Sequence, residues 1–326
     1  MQKEQHLKIP VMCVRSLISV LAVGALIGGV IACSSQSAKP SPFPFFLFDE
    51  RPFQMSCGDR PSPLPPGTRS FVTVSPLAPY ARTRLNTLNL PRYEVPALTI
   101  AAEPLNWIQV TGAKQDHWTV QFCAKGEGNT VAEANGYLQK ISMQRTGSLL
   151  ALNSTDPHGL TGGQGNLLLT APEDASLTIH SQAAVEVHDM AGAVRVLALG
   201  RATILNTTGR VDVSAMIVDF AGSQGWVSLN AHWDINIKLT AQQFRGKLSA
   251  NAQRQVRVLL PPGFQTPIDV LVNRPKDFVC RVDFCAKIKK DRVNSLYRFT
   301  YGDTEGSTES IGLRSEGAQV VLDGTQ

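Results

Sequence analysis

Six cysteines are the residues of this chain most suited to covalent chemistry, and their settings separate them. Cys33 follows Val30-Ile31-Ala32, at the end of an uncharged run from Ser16 to Ala32, which itself follows Lys3, Lys8 and Arg15. A basic start, a short apolar stretch and small residues before the cut form the pattern of a secretory signal. A small residue before such a cysteine resembles a lipobox, whose cysteine is diacylated and becomes N-terminal. Residues 1–32 are expected to be a lipoprotein signal peptide, with a palmitate-type lipid anchor attached at Cys33. The alternative is an uncleaved transmembrane anchor, although the run of 17 residues is short for a span, which needs about 20. Both readings export the remainder of the chain.

Cys13 leaves with the signal, so Cys57, Cys123, Cys280 and Cys285 remain. An even number in an oxidising compartment points to two disulfides, with three connectivities open. Cys57–Cys123 with Cys280–Cys285 is the pairing expected first. A metal site is the rival, but no histidine or Cys-x-x-Cys pair accompanies these cysteines, so no metal and no other cofactor is expected.

Catalytic chemistry has little to work with. His117, His158, His180, His188 and His232 show no metal-ligand spacing. Adjacent His188 and Asp189 would point to opposite faces of a strand, as exposed positions at a corner. There is no Gly-x-Ser-x-Gly elbow and no P-loop, and Gly162-Gly-Gln-Gly165 reads as a flexible turn. The chain is therefore not expected to be an enzyme. From residue 33 onward, 28 basic and 25 acidic residues leave a net charge of +3. That is too mild to point to nucleic acid or to strong attraction to a membrane surface.

The elements that would position binding residues come from periodicity. Residues 33–70 are rich in Pro and Ser and read as an extended tether. They include an apolar cluster, Phe43–Phe48, that either lies on the membrane or packs on the folded part. Residues 71–97 read as a capping or lead-in segment. From about Leu85 apolar and polar residues alternate, as in Trp107–Val110, Trp118–Phe122, Val185–Val187, Val194–Val196 and Ile235–Leu239, which means strands with one buried face. One short helix is expected near Thr130–Gln139.

Four segments repeat: Gly192–Ala198, Gly209–Ala215, Gly225–Ala231 and Gly246–Ala252. Each has Gly first, apolar residues two and four places later, and Ala at the sixth place after the Gly. Gly165–Ala171 fits at all but one position. Second strands lie between them at Ala202–Ile204, Met216–Val218, Ile235–Leu239 and Val256–Val258. Stacked coils of 16–21 residues explain this spacing, each coil burying its inner face against its neighbours. A Gly-rich β-sandwich is the alternative. Ile311–Leu322 has similar character in a shifted phase and reads as a terminal coil. Aligning the repeats sets Arg210, Trp226 and Lys247 side by side on the outer face. An exposed tryptophan between cations suits stacking on a sugar ring or holding an anionic polymer. Alternatively, the N-terminal segment or a loop covers it.

These units, with Trp107-Ile-Gln-Val-Thr-Gly112, Leu169-Thr-Ala-Pro172 before Leu177-Thr-Ile179, Leu259-Leu-Pro-Pro-Gly-Phe264 before Ile268-Asp-Val270, and the Gly-x-x-Val-Val-Leu ending, resemble the adhesin-like β-solenoid domains of bacterial envelope proteins. The resemblance covers roughly residues 98–323. It implies an all-β fold, a single elongated β-solenoid over residues 98–324, and no catalytic residues. The expectation is a membrane-anchored envelope lipoprotein with a non-catalytic scaffold or interaction domain, held by its lipid, with Ser34 and Ser35 pointing to the outer membrane. Its partner would be an envelope protein or polysaccharide. A glycan-binding lipoprotein using Arg210, Trp226 and Lys247 is the alternative, and a polysaccharide-active envelope enzyme the third reading.

Overall fold

The alternation of buried and exposed residues that the sequence predicts is carried by 21 strands among the described residues. The computed structural model describes residue 57 and residues 80–103, 106–154, 163–304, 306–317 and 319–325. The signal peptide, Cys33, the Phe43–Phe48 cluster, all of the tether apart from Cys57, and residues 71–79 lie outside them.

The chain runs through β1 (Tyr80–Pro91), β2 (Ala97–Ala102), β3 (Asn106–Ala113) and β4 (His117–Gly128), then helix α1 (Val131–Gln139). It continues as β5 (Ile141–Thr146), β6 (Leu149–Ser154), β7 (Gly163–Pro172), β8 (Ser176–Ser181), β9 (Val185–His188), β10 (Val194–Ala198) and β11 (Arg201–Leu205). Two long strands follow, β12 (Arg210–Gly222) and β13 (Gln224–Leu239), then β14 (Arg245–Ala252), β15 (Gln255–Leu260), β16 (Ile268–Val272) and β17 (Phe278–Arg281). The last are β18 (Lys289–Val293), β19 (Leu296–Tyr301), β20 (Ser310–Ser315) and β21 (Gln319–Gly324).

The class is all-β, with α1 where the helix was expected. Thr130 caps it by accepting a hydrogen bond from the Glu133 amide, while the Glu133 carboxylate accepts from the Asn129 amide. This reciprocal pairing satisfies two amides that a helix start would otherwise leave unpaired.

Two parallel ladders make up the middle of the sheet. One pairs β6, β2, β8, β10, the first half of β12, the first half of β13, β14, β20 and β16 in that order. The other pairs β7, β3, β9, β11, the second halves of β12 and β13, β15, β21 and β17. The repeat register is met residue for residue: Val194 faces Val211, Val211 faces Val227, and Val227 faces Leu248. These residues, with Val196, Val213, Leu229 and Ala250, are buried in a continuous apolar core. Each outward neighbour between them is exposed or half-buried, as a period of two demands.

The sheet is nevertheless mixed. Antiparallel strands close its ends: β4 on β7 with β1 on β4, β5 on β6, and β19 on β16 with β18 on β19. Two expectations change accordingly. Gly165–Ala171 is not a fifth copy of the repeat in the same ladder, because β7 pairs with β3 and β4 in the other one. Ile311–Leu322 is not terminal, since β20 and β21 insert between β14/β15 and β16/β17. Likewise β2 and β3 sit between β6/β7 and β8/β9. At both ends the chain passes one level outward and another segment slips in beneath it.

The repeat glycines are required by close approach. A Cβ on Gly209 would overlap the carbonyl oxygen of Gly192, and one on Gly246 that of Gly225. Gly225 would meet the Gly209 oxygen at 2.8 Å. Gly225 and Gly246 also hold φ of 121° and 114°, which L side chains avoid. The column Gly192, Gly209, Gly225, Gly246 is thus a seam where backbone lies on backbone.

Candidate functional site

The register that aligns the repeats also aligns their outward side chains. Arg210 pairs across from Trp226, Trp226 from Lys247, and Lys247 from Ser310. Two residues along, Arg195, Asp212, Ser228, Ser249 and Gly312 form the next outward row. Trp226 is 60% exposed. The Lys247 ammonium lies 5.8 Å from its ring centroid, within cation–π range.

Arg210, Asp212, Trp226, Ser228, Lys247 and Ser249 line a shallow depression of about 700 Å³. Arg210 and Lys247 flank Trp226 on the neighbouring strands, and the next row runs from Asp212 through Ser228 and Ser249 to Gly312, where no side chain projects. That arrangement offers an apolar plate for a ring, hydroxyl partners for its edge, and positive charge for an anionic substituent. It brings one carboxylate, Asp212, and no second acid for proton transfer. Holding a ligand is what such a surface can do chemically.

The outer face of the other ladder is a different surface. Asp219 is buried, accepts a hydrogen bond from Asn236 Nδ2 at 2.8 Å and lies 3.2 Å from Arg201 Nη1. Burial pushes its carboxyl up from the usual range, while Arg201 and Asn236 pull against that. Burial also pushes up Asp234, whose nearest cation is Arg254 at 3.7 Å. Asp323 joins Arg257 at 2.8 Å and Arg281 at 3.3 Å. These pairs tie successive strands together, so the face is a set of cross-strand braces. Sequence reasoning missed them, though the acid of Ile217-Val-Asp-Phe220, set in an apolar run, was a readable signal.

His188, expected at an exposed corner, is half-buried with its Nε2 2.5 Å from Glu186 Oε1, two residues back on the same face. Asp189 is exposed and turns the chain with φ of 55°. Trp233 is 46% exposed at the corner between the two halves of β13. Among the described residues no group of three or more His, Cys, Asp or Glu could hold a metal ion.

The cysteines pair as Cys57–Cys123 and Cys280–Cys285, with Cα atoms 5.8 Å apart in each. The first joins the chain upstream of β1 to the middle of β4. The second closes a short loop after β17, where a 3-10 turn at Asp283–Lys287 supplies the bend that a five-residue separation needs. Cys33 lies outside the described residues. No helix among the described residues is long and apolar enough to cross a membrane.

No family model matches the chain, and no curated protein does. Among solved structures, a candidate adhesin from Bacteroides fragilis is 12% identical with a TM-score of 0.39, covering 74% of this chain and 97% of that one. A candidate cell adhesion protein from Clostridium sporogenes is 9% identical with a TM-score of 0.33, covering 74% of this chain and 99% of that one. Likenesses at this level neither name a family nor assign a function.

Proposed function

We propose that this chain is an envelope lipoprotein, anchored through Cys33, whose folded part is a non-catalytic, adhesin-like β-solenoid that binds a partner on its outer ribs. The solenoid reading is supported by the two ladders, which follow the same order through every level from β6/β7 to β16/β17. Such a stack buries a narrow core and leaves flat faces of outward side chains, a surface suited to contact. The anchor reading is supported by Val30-Ile31-Ala32-Cys33 and its flanks.

The observation that favours binding over chemistry is the exposed Trp226 between Arg210 and Lys247, beside the row that holds Ser228 and Ser249. It also favours a second, narrower reading, in which the partner is a glycan whose ring stacks on Trp226. The anchor is tested by expressing the chain with Cys33 or with Cys33→Ala and measuring mass and membrane partition. Cleavage before residue 33 with added acyl mass, lost in the variant, is expected. A retained leader and identical partition in both would refute the anchor.

A further inference from the structure

The chain from residue 33 carries a net +3, but its positive charge is not spread over it. Residues 274–298 hold eight Lys and Arg against three Asp, while the rest of that stretch has more acids than bases, 22 against 20. Asp323 and Asp269, outside that window, take Arg281 and Arg298, so the remaining excess is concentrated at one end of the sheet, in Lys276, β18 and the turn before it.

Strand pairing gathers part of it at one corner. Ala252 pairs with Ser315, Ser315 with Val272, Val272 with Tyr297, and Tyr297 with Arg292. The chain turns just past the first three of these residues, which brings Arg254 and Arg274 to one corner, with Glu316 on the strand between theirs and Arg292 on an outer strand. Arg254, Gln255, Arg274, Lys276, Asp277 and Gln319 line a depression of about 380 Å³ at this corner. Asp277 is buried and occupied by Arg274 at 2.9 Å, which fixes that guanidinium at the rim. Glu316 is shared with Arg314 at 3.7 Å. Arg254 faces Asp234 at 3.7 Å yet is two-thirds exposed, and Lys276 is exposed. Beyond the depression, the Arg292 guanidinium and the Lys290 ammonium lie over the Tyr297 ring at 5.7 and 5.4 Å, and both residues are exposed. Lys287 and Lys289 are exposed on the same end, with Asp291 between the last cations.

Lysines on an outer strand discourage unwanted pairing, which accounts for part of β18. Edge protection does not account for a concave seat with three cations and two amides placed one corner away. We propose that this corner is a second binding site, separate from the Trp226 rib, and that it takes an acidic polysaccharide. A carboxylate or phosphate of the polymer would seat among Arg254, Arg274, Lys276, Gln255 and Gln319, and its next charges would follow the cations toward Arg292. A track spanning several levels, each a strand spacing of about 4.8 Å apart, is longer than one small anion fills. The concavity and its amides suit a threaded chain better than a flat lipid surface. The site does not depend on the reading of Trp226.

The test uses the full chain in a non-ionic detergent and polygalacturonate as probe, with dextran as uncharged polymer and inorganic phosphate as simple anion. Polygalacturonate should bind and dextran should not, and binding should weaken as salt shortens the screening length. Lys276→Gln with Arg292→Gln, both exposed, should lower affinity roughly tenfold with an unchanged melting curve. Trp226→Ala should leave it unchanged. Absence of polygalacturonate binding at low salt would overturn the site, as would binding that is indifferent to the double variant. Loss of binding in Trp226→Ala would move the polymer to the other surface. Phosphate displacing the polymer at matched charge concentration would reduce the site to a seat for single anions, and the polymer claim would fall.

Discussion

The glycine seam makes a prediction that can be divided into its physical parts. Four Gly→Ala variants differ in which part they meet. At Gly246 an alanine meets both obstacles, a φ of 114° and overlap with the Gly225 carbonyl oxygen. At Gly209 it meets only overlap, with the Gly192 and Ala191 oxygens. At Gly306 it meets only conformational strain, a φ of 76° with nothing within 4 Å of the added atom. At Gly136, inside α1, it meets neither. Strain of this kind costs about 1–3 kcal/mol, and forcing a methyl into packed backbone costs about 1–3 kcal/mol. Gly246→Ala should therefore lose roughly 2–6 kcal/mol, and Gly209→Ala or Gly306→Ala about half as much. Gly136→Ala should gain about 0.5–1 kcal/mol, because alanine favours the helix. Thermal unfolding followed by circular dichroism reads the order, at roughly 2–4 °C per kcal/mol for a domain of this general size. If Gly209→Ala melts with Gly136→Ala, strands β10 and β12 do not approach as closely as described, and the account of the repeat is wrong.

Other expectations concern charge, cross-links and the exposed rib. The Asp219 carboxyl is raised by burial, so the folded state favours its protonated form. Its contribution is then most favourable below the unfolded pKa and declines as pH rises through the folded one. Denaturant titrations of the wild type and Asp219→Asn, from acid to neutral pH, should show the wild type losing ground to the variant as pH rises; a flat or opposite difference would refute this. Replacing both cysteines of Cys57–Cys123 by serine opens a separation of 66 residues and should cost about 4 kcal/mol. Doing the same at Cys280–Cys285, a separation of 5, should cost about 2 kcal/mol. Urea midpoints of the two pairs test the ranking. Trp226→Ala should leave the melting temperature within a degree or two of wild type, because the ring is mostly in water.

The repeat was legible because three independent constraints coincide in it. Apolar residues two and four places after each glycine, and an alanine at the sixth, leave one register in which all inward residues meet. The same register sets Arg210, Trp226 and Lys247 side by side, so their alignment follows from the repeat alone. The helix was legible from its composition, and the cysteines from their parity. What could not be read is the order of levels at the two ends. The choice of β20 over β16 as the neighbour of β14 depends on contacts between segments more than fifty residues apart, and Ile268–Val270 and Ile311–Leu313 carry the same inward pattern. The spacing of the repeat glycines was legible, but not that most of their constraint is steric, because that depends on which carbonyl of the neighbouring strand each one faces. The basic corner was hidden by averaging, because a mild net charge concealed a local excess of lysine and arginine.

The central claim is that the outer rib binds and does not react, and one titration tests it most directly. The purified full chain and its Trp226→Ala variant would be offered a panel of neutral and acidic glycans by calorimetry, with each mixture afterwards examined for cleaved or modified sugar. The account predicts at least one glycan bound with an affinity lowered roughly tenfold in the variant, about the size of an aromatic–sugar contact at 1.4 kcal/mol, and recovered chemically unchanged. A panel in which no glycan distinguishes the two proteins would contradict the assigned surface, and recovery of cleaved sugar would contradict the claim that the scaffold is non-catalytic.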